Sequence, residues 1–60
     1  MVYKIGEIFD DLVDNAPSFL KGVELTYDDA HYMIGLMMKG YSQKEARDIV
    51  YNEIANVLDI

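Results

Sequence analysis

Three observations predict an all-α fold for this 60-residue chain. Ile5, Ile8, Phe9, Leu12 and Ala16 recur at the i, i+3, i+4, i+7 spacing that lines one side of a helix. Thr26 followed by Asp28 and Asp29, with Gly40 further on, brackets a second helix. Ser42-Gln43-Lys44-Glu45 has the form of a capping box, in which serine serves the third amide and glutamate reaches back, and it opens a third. The expected architecture is one compact three-helix domain over residues 1–60, with an extra short helical turn near Pro17. It is expected to self-associate through its second and third helices.

Each element has a local cause. The first helix is expected from Ile5 to Asn15, because Pro17 disfavours helical geometry at the residue before it. Val2 to Ile5 reads as an extended lead-in, and Gly6 weakens an early helix by roughly 1 kcal/mol relative to alanine. Pro17 to Gly22 reads as a single helical turn, with proline at its first position and glycine after its last. Val23-Glu24-Leu25 reads as extended. Thr26 then offers a cap, and the two aspartates lie where the positive end of the helix dipole favours them.

The second helix carries Ala30, Met33, Ile34, Met37 and Met38 on one stripe, and Tyr32 and Leu36 extend it far round the cylinder. A helix apolar nearly all round belongs in the centre of a larger protein, and three short helices offer little to cover it. Self-association through Tyr32, Met33, Leu36, Met37, Tyr51 and Leu58 is therefore expected, most simply as a twofold dimer. The third helix is expected to run to the C-terminus on a stripe of Ala46, Ile49, Val50, Ile54 and Val57, with Tyr51, Ala55 and Leu58 widening one flank.

Size points the same way, since a chain of this length buries only about 60% of the surface its unfolded form exposes. There is no cysteine and one histidine, so neither a disulfide nor a thiolate metal site is available, and no cofactor or metal is expected. Eleven acids against five bases give a net charge of −6, which favours basic partners and opposes binding to nucleic acid or anionic membrane. Residues 1–30 hold seven of the acids and two lysines, so most of the negative charge is N-terminal. The acid at Glu7 comes too early for the apolar stretch of a signal peptide, and Ala30 to Met38 is about half the ~20 residues of a membrane span, so a cytoplasmic location is expected.

The feature that most directly suggests function is a second stripe on the first helix, Glu7, Asp10, Asp11 and Asp14, with no lysine between them. Neighbouring carboxylates repel by roughly 0.2–0.5 kcal/mol per i, i+4 pair, and Asp14 also sits at the unfavourable dipole end. The stripe either keeps a small protein soluble or docks on a basic surface. At about 5–6 Å between helix neighbours, its carboxylates resemble the phosphates along one nucleic-acid strand. If it docks, reversing the charge of Asp10 and Asp11 is expected to weaken binding and leave helicity intact.

Other constellations have structural explanations. Met33, Met37 and Met38 with Gly35 suit core filling or close approach of a second chain. Tyr3, Tyr27, Tyr32, Tyr41 and Tyr51 suit half-buried rims. His31 has no cysteine to pair with, Ser42 is accounted for as a cap, and Ser18 has no base and acid at a readable spacing, so catalysis is not expected. Phosphate-loop and calcium-loop patterns are missing.

The second and third helices also outline a helix-turn-helix, with Gln43, Lys44 and Arg47 at the front of the recognition position and Glu45 and Asp48 on the same turns. Met38-Lys39-Gly40-Tyr41-Ser42 with Glu45-Ala46 resembles the loop of ubiquitin-associated domains over less than a quarter of the chain. Ordinary capping chemistry accounts for the same string.

The function expected from these readings is stoichiometric protein binding without catalysis. A small acidic module of this kind suits an inhibitor or regulator of a host nucleic-acid-handling or defence protein, of the sort carried by phages and mobile elements. A helix-turn-helix transcriptional regulator and an antitoxin that neutralises a basic toxin are the alternatives.

Overall fold

Pro17 turns the chain as its chemistry requires: it lacks an N–H, takes an extended backbone at φ −70°, ψ 162°, and separates a helix from a single 3-10 turn. The computed structural model describes residues 3–59. Among them the order is α1 (Ile5–Asp14), the 3-10 turn Ser18–Leu20, α2 (Tyr27–Met38) and α3 (Gln43–Leu58), with no strand. The Val2 end of the expected lead-in and the Ile60 end of the expected third helix lie outside the described residues. The 3-10 turn delivers Leu20 into the core, and Gly22 leaves it at φ +86°, a conformation costly for any side chain.

Local chemistry places both ends of α2. The Asp29 carboxylate accepts from the Thr26 backbone N–H at 2.9 Å and from the Thr26 hydroxyl at 3.4 Å, so the aspartate does more than complement the dipole. At the other end the Tyr41 N–H reaches the Leu36 carbonyl at 3.3 Å and the Gly40 N–H reaches Met37 at 3.1 Å. These two bonds make a Schellman motif, which needs a left-handed residue at Gly40, here at φ +112°. The string Lys39 to Ser42 is thus one helix stop followed directly by a helix start.

That start is the expected capping box. The Glu45 N–H donates to Ser42 Oγ at 3.1 Å, and the Ser42 N–H donates to Glu45 Oε1 at 3.1 Å. The backbone N–H and then the hydroxyl of Ser42 hold the Glu45 carboxyl below its ordinary pKa. Ser42→Ala is expected to cost about 1 kcal/mol, a fall in melting temperature of roughly 4–8 °C for a domain of this size, read by thermal circular dichroism.

The core draws on every element: Ile8 and Leu12 of α1, Leu20, Ala30, Met33, Leu36 and Met37 of α2, and Ala46, Val50 and Tyr51 of α3. Among the described residues α2 is the central helix, packed on α1 and on α3. That arrangement corrects the stripe assigned to α2. Leu36 is buried and Met38 is 75% exposed, so the buried arc is rotated toward Leu36. Periodicity marks apolar positions, but two neighbouring helices decide which part of a wide apolar arc is covered. Gly35 admits no close approach within the chain, since a Cβ there would meet nothing within 4 Å.

Length explains the other departure. α3 has 16 residues and α2 has 12, so α3 extends about 6 Å further at ~1.5 Å per residue. The short Schellman connection aligns the two helices at one end, so the excess emerges at the other. Val57 is accordingly 80% exposed and Leu58 48% exposed on the last turn.

Candidate functional site

The four acids of α1 do not share one environment. Glu7, Asp10 and Asp14 are exposed, whereas Asp11 is partly buried. At 100° per residue Asp11 lies roughly 60° from the buried Ile8, on the border between core and solvent. There it meets α3. Arg47 Nη1 donates to Asp11 Oδ1 at 2.9 Å and Oδ2 at 3.0 Å, with both side chains about four-fifths buried (19% and 18% exposed). Gln43 Nε2 adds a bond to Oδ2 at 3.0 Å, and Asn15 Nδ2 adds one to Oδ1 at 2.8 Å. The Asp11 carboxylate therefore belongs to the fold, and the outward face consists of Glu7, Asp10 and Asp14.

A second bond joins the same two helices. The Tyr51 hydroxyl donates to the Leu12 carbonyl at 2.6 Å in the interior. Helices leave their last carbonyls without partners, and at the end of α1 the Asn15 N–H goes to Asp11 and the Ala16 N–H to Val13, while Pro17 has none to give. Tyr51 supplies the donor for Leu12, and Arg47 brings positive charge toward the negative end of the α1 dipole. Gln43, Arg47 and Tyr51 thus form one i, i+4, i+8 row on α3 that closes α1 from the side. Burial raises the Tyr51 hydroxyl pKa, and the nearby Arg47 charge opposes that rise. Tyr51→Phe is expected to cost about 1–2 kcal/mol by leaving a buried acceptor unpaired, measured by urea unfolding.

Two of the polar residues at the front of α3 are committed to the same packing, and the third makes an exposed pair along the helix. Gln43 and Arg47 hold Asp11, and Lys44 pairs with Asp48 at 3.0 Å along the helix. The three side chains of the helix-turn-helix outline are therefore engaged within the chain. His31 and Ser18 are exposed, and Ser42 is the cap described above. Among the described residues no three of His, Cys, Asp and Glu are grouped to hold a metal ion, and no helix is long and apolar enough to cross a membrane.

The six residues expected at a self-association surface also separate. Met33, Leu36, Met37 and Tyr51 are buried within the single chain, because α1 and α3 together cover α2. Tyr32 and Leu58 are exposed, at 46% and 48%. Both line a groove of about 370 Å³ whose apolar wall also includes Val23, Ile54 and Val57. Glu24 and Glu53 border it.

The periodicity of apolar residues alone does not single out the α3 row. A signal for the α3 row did exist: Gln43, Arg47 and Tyr51 share one face, and Arg47 is the chain's only arginine, the side chain best suited to a partly buried carboxylate. Comparison with known proteins returned no matching family model, no similar curated protein and no similar solved structure.

Proposed function

We propose that this chain is a stoichiometric binding module for a protein with a basic surface, acting as an inhibitor or regulator without catalysis. The observation that carries the reading is the composition of the outer face of α1. Glu7, Asp10 and Asp14 lie within an arc of roughly 60° at 100° per residue, all exposed and none in an ion pair among the described residues. The fourth acid, Asp11, anchors that face to α3 through Arg47, so the three free carboxylates are presented from a helix held on both flanks. A pre-positioned charge array binds with less ordering cost than a mobile one.

A host protein that handles nucleic acid, or a defence protein with a basic groove, fits such a face. The antitoxin reading needs the same surface and differs only in the partner. The helix-turn-helix reading loses support from the engagement of Gln43 and Arg47 with Asp11, on top of the net charge of −6. Of the six residues assigned to a twofold dimer only Tyr32 and Leu58 are exposed, which leaves that reading little surface of its own.

The test is affinity purification from the native host at low salt, using the intact chain and an Asp10→Lys/Asp14→Lys variant. The wild-type chain is expected to retain a protein with a basic surface, and the variant to lose it with helicity unchanged. Added salt is expected to weaken the wild-type complex mainly by slowing association. Equal retention by both chains at all salt concentrations refutes the docking face. In parallel, a mobility shift with duplex DNA is expected to show no complex at physiological salt, and a shift abolished by Arg47→Ala would install the transcriptional regulator instead. Light scattering at tens of micromolar reads the dimer directly, and a strictly monomeric mass removes it.

A further inference from the structure

We propose that the groove between residues 23–25, α2 and the end of α3 receives the apolar side of a basic amphipathic helix from a partner protein. The inference concerns a second surface and does not rest on the α1 face.

Val23, Tyr32, Ile54, Val57 and Leu58 make a continuous apolar floor, and three of them are left largely open to solvent, Val57 at 80%, Leu58 at 48% and Tyr32 at 46%. The cause is architectural: α3 outruns α2, so among the described residues no helix covers its last turn. Apolar exposure that is contiguous rather than scattered marks a contact surface. Two groups on the border select its occupant. Glu24 and Glu53 are both exposed, and neither carboxylate takes part in a hydrogen bond or ion pair among the described residues. An apolar floor bordered by two free carboxylates complements a segment with apolar residues in one row and Lys or Arg beside them.

The walls settle the form of that segment. Five of the seven lining residues, Tyr32, Glu53, Ile54, Val57 and Leu58, belong to two helices and only Val23 and Glu24 to extended backbone, so strand addition has a short edge to pair with and helix-in-groove recognition suits them. Charge also argues against a second copy of the chain. A twofold interface brings the same patch against itself, which here brings together two molecules of charge −6, each with its own Glu24 and Glu53.

The experiment uses the full chain, isotopically labelled, and two synthetic 14-residue amphipathic peptides, one of leucine and lysine and one with glutamate at every lysine position. The lysine peptide is expected to bind saturably, shifting the amide resonances of Val23, Tyr32, Glu53 and Val57, while the glutamate peptide does not bind. Val57→Asp is expected to weaken binding at least tenfold, and Glu24→Gln/Glu53→Gln about threefold to tenfold. These positions are outside the buried core, and the amide spectrum of each variant reports its fold. The Asp10→Lys/Asp14→Lys variant is expected to lose less affinity than Val57→Asp, which separates this groove from the α1 face.

Shifts confined to Glu7, Asp10 and Asp14, equal binding of both peptides, or no saturable binding of the lysine peptide would overturn the proposal. So would groove resonances that move with the chain's own concentration while its mass doubles in light scattering, which would give the groove to a second copy.

Discussion

Asp11→Lys is expected to lower the melting temperature by roughly 10–20 °C, whereas Asp10→Lys moves it by a few degrees at most. The two residues are adjacent in sequence and chemically identical, so the contrast isolates their environment. At position 10 a lysine is solvated and relieves repulsion from Glu7 and Asp14. At position 11 it confronts the Arg47 guanidinium, which now bonds Asp11 at 2.9 and 3.0 Å, and it removes the acceptor for Gln43, while Asn15 keeps only its bond to the backbone carbonyl at position 11. Removing one partner of a fully buried pair costs about 3–5 kcal/mol, and solvent access to this pair reduces the figure to about 2–3 kcal/mol.

Thermal circular dichroism of the two single variants makes the comparison. Equal midpoints would mean that Asp11 is as solvated as Asp10 and that the Arg47 contact contributes nothing. The contrast also revises how the acidic face is to be probed. A variant carrying lysine at both 10 and 11 confounds partner binding with stability, and so Asp10 and Asp14 are the positions to reverse.

Leu12→Ala is expected to remove about 3 kcal/mol of stability, within the 2–5 kcal/mol range of buried leucine truncations. Leu12 is fully buried, at 0% exposure, where α1 meets the rest of the core. Its carbonyl keeps the bond from Tyr51 in the variant, so the loss reports packing alone. A 60-residue domain has about 3–9 kcal/mol in total at 0.05–0.15 kcal/mol per residue, and the variant is therefore expected to lose between about a third and all of its stability. Val13→Ala is the control: the neighbouring side chain is 47% exposed, and its truncation is expected to change stability by less than about 0.5 kcal/mol. Urea midpoints of the two variants decide it. Similar midpoints would show that α1 is not docked by the face assigned to it.

The helices themselves were legible because their ends are written in adjacent residues. Ser42 and Glu45, Thr26 and Asp29, Gly40 and Pro17 each act within five positions of the backbone groups they serve, and such local bonds leave a pattern in the chain. The central stripe of α1 was legible for a similar reason, since Ile8 and Leu12 sit mid-stripe and face the interior whichever neighbour is present. Residues at the margin of a stripe carry no such mark. Asp11 and Asp10 differ by one helical step, and it is Gln43 and Arg47, more than thirty residues away, that tie one to α3 and leave the other free. The excess apolar surface read into α2 was a similar case: it is real in sequence, but α1 and α3 together cover Met33, Leu36 and Met37.

Sequence by itself determined three helices, the turn after Pro17, the starts of α2 and α3 and the excess of negative charge, because each follows from bonds and periodicities spanning a few residues. Only the tertiary structure decided which carboxylates remain free, that Tyr51 closes the end of α1, and that an apolar groove opens between Tyr32 of α2 and the last turns of α3. Those outcomes depend on how far one helix extends past another and which side chains meet across the gap, and both are set by packing between segments distant in the chain.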